Sequence, residues 1–251
     1  MSMEAATRIE IRDMQGQGHA LPVSDAKDYY SRSRREIRSL LPSRASRILE
    51  VGPGAGFTLI WLKSLYPDAT TFGVELNQAL EVDLREHADV AIIGDIDDLI
   101  SRVGSKFDLI LLLDVLEHVP DPTRTLQAIT RRLLMDGGRV IVSVPNIAHL
   151  SVTLPLLFQR RFAYTDSGIL DRTHLKFFVE DTALQLLNES NLVVKDGLVT
   201  GLEGPKSKLL DGLTLGFLTH HLAKQYIMAG ELTDGPVAQR KINWKKSRLI
   251  S

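Results

Sequence analysis

The sequence predicts an α/β protein: a doubly wound, mostly parallel sheet of seven strands, with an insertion after the fifth. Three observations carry this reading. Short, almost wholly apolar runs recur along the chain, helical stretches separate them, and a glycine-rich turn directly follows the first run. Continuous apolar runs suit strands covered on both faces, as in a parallel sheet flanked by helices. The chain of 251 residues has the length of one to two domains, taking about 150 residues for each.

Residues 1–24 are polar and without sustained period, and read as a flexible arm. Ser24-Asp25 can cap a helix carrying Tyr30, Ile37 and Leu41, which Pro42 ends. Arg32, Arg34, Arg35 and Arg38 on that helix read as a solvated face. Arg47–Val51 is the first strand, and Leu59, Ile60, Leu62 and Leu65 mark the helix after the glycine turn. Thr70–Glu75, Val90–Asp95 and Phe107–Leu113 are strands two to four. A helix with Leu126, Ile129, Leu133 and Leu134 on one face is expected to start at Asp121-Pro122 and stop at Gly137-Gly138. Arg139–Val144 is the fifth strand, closed by Pro145.

Residues 147–178 lose the rhythm and read as an acceptor-side insertion or lid. A helix resumes at Glu180-Asp181, and strand Leu192–Lys195 follows it. Residues 206–222 are amphipathic; their apolar stretch Leu209–Leu218 reads as core, with a lid or a homodimer face as alternatives. Ala223–Glu231 fits a last, antiparallel strand. The domain is expected to span 25–235, leaving 236–251 as a basic, mobile tail.

Composition narrows the function classes. With 44% hydrophobic and 24% charged residues, the chain is neither a disordered nor a fibrous protein. A formal charge of −1 argues against a nucleic-acid partner held by bulk electrostatics. No cysteine is present, which removes disulfides, thiolate zinc sites and a cysteine nucleophile. The N-terminus has no apolar core of a secretory signal, and the run Leu109–Leu113 is far too short to cross a bilayer. A cytoplasmic location without a membrane span is therefore expected.

The chemistry is concentrated in Glu50-Val-Gly-Pro-Gly-Ala-Gly-Phe57, which joins the first strand to its helix. Glycines there permit a sharp turn and let backbone approach a ligand. A dinucleotide fingerprint needs its third glycine one residue later, and Glu50 would repel a pyrophosphate. The same acid favours an ammonium group. Glu75, at the end of the second strand, suits the two ribose hydroxyls. Asp95 can accept from an adenine amino group while Ile96 covers the ring. An adenosine with a cationic amino-acid arm, S-adenosylmethionine, satisfies all of these.

With these residues, the chain resembles the class I S-adenosylmethionine-dependent methyltransferases, a Rossmann-like fold. The resemblance spans roughly residues 29–195 and rests on Ile48–Gly56, Gly73–Glu75, Gly94-Asp95, Phe107–Val119 and Leu133–Val140. It implies that Glu50, Gly52, Gly54 and Gly56 line the methionine and ribose part. It also places Glu75 on the ribose, Asp95 and Ile96 on the adenine, and Asp114 and Val115 near the methyl group. Pro53 stands where the family more often has Cys.

Methyl transfer to a hydroxyl gains from a base, and His118 is the candidate. Asp171 and His174, from Tyr164–Phe178, could face the acceptor; an Asp171–Arg172 structural ion pair is the plainer alternative. This segment resembles bacterial methyltransferases of glycan and secondary-metabolite pathways, which implies a small polar acceptor, a sugar or metabolite hydroxyl. No metal is assigned in this reading. An alternative is that Asp114, Glu117, His118 and His174 resemble the divalent-metal cluster of small-RNA 2′-O-methyltransferases, whose first part ubiquinone-pathway O-methyltransferases share. An N-methyltransferase, a nicotinamide-dependent oxidoreductase and a non-catalytic cofactor-binding subunit are the remaining alternatives.

Overall fold

The computed structural model describes residues 8–12, 18–22, 33–96, 100, 104–233 and 242–247. The main sheet has eight strands in the order β5-β4-β3-β6-β7-β9-β8-β10. These are β3 (Arg47–Val51), β4 (Thr70–Glu75), β5 (Val90–Ile93), β6 (Phe107–Leu113), β7 (Leu134–Pro145), β8 (Leu192–Thr200), β9 (Gln225–Leu232) and β10 (Trp244–Lys246). Strands β5, β4, β3, β6 and β7 pair in parallel, and β9 runs antiparallel between β7 and β8. The mostly parallel doubly wound sheet, with its antiparallel strand at 225–232, is thus as expected.

Alternation along the strands builds a core on each face. Ile110 and Leu112 of β6 face one layer, packed with α3 (Pro122–Leu133) and α5 (Glu180–Glu189). Leu109 and Leu111 face the other, with α1 (Phe57–Leu65), α2 (Glu81–His87) and the short 3₁₀ turn Arg35–Leu40. Helix α3 begins as the sequence suggests, with the Asp121 side chain accepting from the Arg124 N–H at 3.0 Å and Pro122 in its first turn.

Several local expectations are corrected. Helix α3 stops at Leu133, and Gly137-Gly138 lie inside β7, where Gly137 takes φ +73° and the pairing with β6 shifts register. Glycine there serves a strand irregularity, not a helix stop. Within the expected arm, β1 (Arg8–Arg12) and β2 (Gly18–Pro22) pair as an antiparallel hairpin. Of the helix expected from Ser24, the 3₁₀ turn at 35–40 is what the described residues contain; Ser24, Asp25, Tyr30 and Arg32 lie outside them.

The basic tail contributes the eighth strand. Trp244 stacks on Gly197, where a Cβ would come within 2.6 Å of its ring, and lies 5.0 Å from the Tyr226 ring. Its Nε1 donates to Glu180 at 2.6 Å, Lys245 pairs with Asp196 at 2.9 Å, and Lys246 pairs with buried Asp211. The indole, two ion pairs and the parallel pairing with β8 together hold this segment to the sheet. Arg240, Lys241 and Arg248 lie outside the described residues.

Candidate active site

The site lies where the parallel strands end. Gly52 takes φ +67°, Gly54 φ +58° and Gly56 φ +88°, a region costly for residues with a Cβ. The glycines are needed for different reasons. A Cβ on Gly52 would come within 2.9 Å of Val115 Cγ2, so this turn packs on the residue that follows Asp114. A Cβ on Gly56 would meet His87 at 3.0 Å and Leu84 at 3.1 Å, so a glycine here lets helix α2 pack against the loop. His87 further holds the loop, its Nδ1 donating to the Ala55 carbonyl at 2.6 Å.

Two buried carboxyls flank the loop. Glu75 Oε2 accepts from the Gly54 N–H at 3.0 Å and Oε1 from the Asn77 N–H at 2.8 Å. Burial raises its pKa, while these two bonds pull in the other direction. Glu50 is 3% exposed, and its Oε2 has no hydrogen-bond partner. Burial pushes its carboxyl up to about 8; the charge of Arg34 opposes this and that of Glu75 adds to it. A buried polar oxygen without a partner is costly, and an ammonium group would supply one. The residues present therefore fit the cationic arm of S-adenosylmethionine. Ile96 is buried just beyond β5 and Asp95 is exposed beside it.

Asp114, after β6, is a non-glycine residue at φ +59°. Its carboxylate is held by Arg34 Nη1 at 2.7 Å, Gln225 Nε2 at 2.8 Å and the Ser143 hydroxyl at 2.6 Å. Burial alone would raise its pKa; the Arg34 charge and these hydrogen bonds outweigh that and hold it below the usual range. The sequence pattern places Arg34 on a solvated face. Instead its side chain is 15% exposed and links Asp114 with Glu36 across the site. No spacing rule connects residues 34 and 114; only folding brings them together.

The acceptor-side cluster forms around the 3₁₀ turn Leu116–His118. The Glu117 carbonyl accepts from the Leu175 N–H at 2.8 Å and the Lys176 N–H at 3.0 Å, clamping the insertion onto the strand end. The Glu117 side chain is 1% exposed, and its Oε2 has no hydrogen-bond partner. Burial, then the charge of Asp114, raises its pKa well above the usual carboxylate range. The His118 and His174 rings meet edge to face at 4.8 Å, and burial followed by His118 lowers the His174 pKa.

Hydrogen bonds set the tautomers. The Thr173 hydroxyl donates to Asp171 Oδ1 at 2.7 Å, so at 3.0 Å it accepts from His118 Nδ1. His174 Nδ1 is 3.1 Å from the Ile169 carbonyl, which can only accept. In the neutral form each ring therefore carries its proton on Nδ1. Glu117, His118 and His174 each bring a ligand atom into a group spanning no more than 4.8 Å. Two imidazole nitrogens and a carboxylate suit a divalent cation.

Two expectations change. Asp171 orients Thr173, and through it His118, while Arg172 pairs with Asp166 at 2.7 Å rather than with Asp171. Asp114 does not join the histidine cluster, because Arg34, Ser143 and Gln225 already take its carboxylate.

Comparison with known proteins agrees with this architecture. Residues 25–196 match the family described as a methyltransferase domain, and the chain belongs to it. A ubiquinone biosynthesis O-methyltransferase from Xanthomonas oryzae pv. oryzae is 27% identical over 121 residues, 44% of this chain and 47% of that one. The chain thus spans about half the length of that relative. A protein of the same description from Alkalilimnicola ehrlichii is 28% identical over 185 residues, covering 70% of this chain and 72% of its own. A solved S-adenosylmethionine-dependent methyltransferase from Archaeoglobus fulgidus shares the fold at TM-score 0.59 and 14% identity, over 82% of this chain and 93% of that one. Among the described residues, no helix is long and apolar enough to cross a membrane.

Proposed function

We propose that the chain transfers a methyl group from S-adenosylmethionine to a hydroxyl oxygen of a small polar acceptor, a sugar or another hydroxylated metabolite. The observation that carries this is the Glu117–His118–His174 group beside the Gly52–Val115 contact, where the cofactor loop meets the end of β6. Glu50 holds the ammonium of the methionine arm, Glu75 the ribose hydroxyls, and Asp95 with Ile96 the adenine. Gly52, Gly54 and Gly56 shape the loop. Asp114 and Val115 form the wall at the end of β6.

The bound cofactor supplies an electrophilic methyl on a sulfonium. His118 Nε2 would take the proton of the acceptor hydroxyl as that oxygen becomes the nucleophile. Asp171 and Thr173 keep Nδ1 protonated, so the base nitrogen stays directed at the acceptor. Orientation of this kind contributes much of the rate in a single displacement.

A second reading has its own support. The Glu117 carboxyl, with Oε2 unpartnered, and the two imidazoles grouped with it fit a divalent cation, which would lower the pKa of the acceptor hydroxyl. The names of the curated relatives favour a quinone precursor as acceptor under this reading. Assay with a simple catechol and with sugar acceptors, before and after chelation, tests both. Methylation of neither class would overturn the O-methyl reading, and full activity after chelation would remove the cation.

A further inference from the structure

Two segments of the chain present apolar side chains to solvent beside basic ones. Helix α4 (Leu150–Gln159) exposes Leu157 at 71% and Phe158 at 76%, and Arg160 and Arg161 follow it directly, exposed as well. Helix α6 (Pro205–Leu213) and the turn after it expose Leu213, Leu215 at 96% and Phe217 at 83%, with Lys206 and Lys208 exposed at the helix start. The stretch read as core, Leu209–Leu218, is therefore largely outside it. Aromatic and leucine side chains this exposed, on two segments that stem from the same end of the sheet, mark an interaction surface.

Both segments stem from one place. Helix α4 follows the end of β7, and α7 (Thr219–Leu222) leads from α6 into β9. Pro145 and Gln225 pair across β7 and β9, and Asn146 Nδ2 donates to the carbonyls of His220 at 2.7 Å and Ala223 at 2.8 Å. This is the end of the sheet where Asp114–His118 lie, and the insertion that follows α4 is the one clamped on Glu117.

The charge on these segments is one-sided. Between Asn146 and Thr165 there are two arginines and no acid. Between Gly204 and Gly230 there are three lysines and one acid, Asp211, which is buried and paired with Lys246. The chain as a whole is at −1, so this face is positive against a slightly negative background. An isologous contact with a second copy would bring like charges together. An apolar surface rimmed by Lys and Arg fits a different occupant. We propose that this face docks on a bilayer surface rich in anionic lipid, seating Leu157, Phe158, Leu215 and Phe217 at the headgroup boundary. The acceptor side of the site then opens toward the bilayer. Docking does not depend on which acceptor is methylated.

Flotation of the full chain with phosphatidylcholine vesicles, and with vesicles half phosphatidylglycerol, tests this. Binding to the anionic vesicles should exceed binding to the neutral ones by about tenfold or more and should weaken with added salt. Arg160→Glu with Arg161→Glu should lower anionic binding by about tenfold or more. Phe158→Ser with Phe217→Ser should lower it further, with the far-ultraviolet circular dichroism and melting transition unchanged for both pairs. Failure to float with either vesicle would overturn the proposal. So would a dimer in sedimentation that Phe158→Ser with Phe217→Ser converts to monomer.

Discussion

Glu50 makes the cofactor site sensitive to pH in a way that can be worked out. Its carboxyl is buried, lacks a partner at Oε2, and has its pKa pushed to about 8. At neutral pH roughly nine-tenths of the empty protein therefore holds Glu50 protonated. An ammonium against Oε2 favours the ionised form, so binding expels a proton. Below pH 8 that ionisation costs about 1.4 kcal/mol for each pH unit, equivalent to tenfold in affinity. Titration calorimetry with S-adenosylhomocysteine should show affinity rising about tenfold from pH 6 to 7, and close to one proton released. The rise should flatten as pH reaches about 8, where the carboxyl ionises unaided. Glu50→Gln should bind more weakly at pH 8 and lose most of this slope. A wild-type affinity that does not change over this range would refute the assignment of Glu50 to the ammonium. So would a Glu50→Gln protein that keeps the full slope.

The same carboxyl affects stability with the opposite sign. Its folded pKa of about 8 exceeds the ordinary 4.5, so the folded state binds more protons between those values. Its contribution is greatest below pH 4.5 and is lost as pH rises through 8; the melting temperature of cofactor-free Glu50→Gln should exceed wild type at pH 8. Glu75→Ala should weaken cofactor binding by about 1.5–3 kcal/mol, read by the same calorimetry; unchanged affinity would remove Glu75 from the ribose. Gly56→Ala should destabilise by about 1–3 kcal/mol in urea melts, since its φ of +88° and the 3.0 Å approach to His87 both oppose a Cβ. His118→Asn should lower turnover by about 10²–10⁴-fold with cofactor affinity retained; normal turnover would place the base elsewhere. Thr173→Val should lower turnover less and alter its pH profile, because it frees the His118 tautomer. A Thr173→Val profile identical to wild type would show that this chain of bonds does not tune the base.

The fold was legible in the sequence because it rests on short-range pattern. A strand covered on both faces must be mostly apolar, and Ile48-Leu49, Phe72–Val74 and Leu109–Leu113 show that without reference to anything distant. The glycine loop and Glu50 were readable for a similar reason: backbone at positive φ and an acid at a strand end are local requirements. The chemistry of these residues by itself points to an adenosine with a cationic arm.

What sits opposite what was decided by tertiary structure. Arg34 looked like one of four arginines on a helix face, yet 80 residues separate it from the Asp114 it neutralises. Asp114 looked like a partner of the histidines, yet Ser143 and Gln225, from two other strands, take its oxygens. Trp244 in a basic tail became a strand because Gly197 leaves room for its ring. Leu209–Leu218 looked like core and is mostly exposed, because apolar periodicity records a face and not what covers it. Local patterns obey steric and solvation rules that act within a few residues. Charge pairing, ring contacts and the covering of a face depend on the path of the whole chain, which three-dimensional packing alone determines.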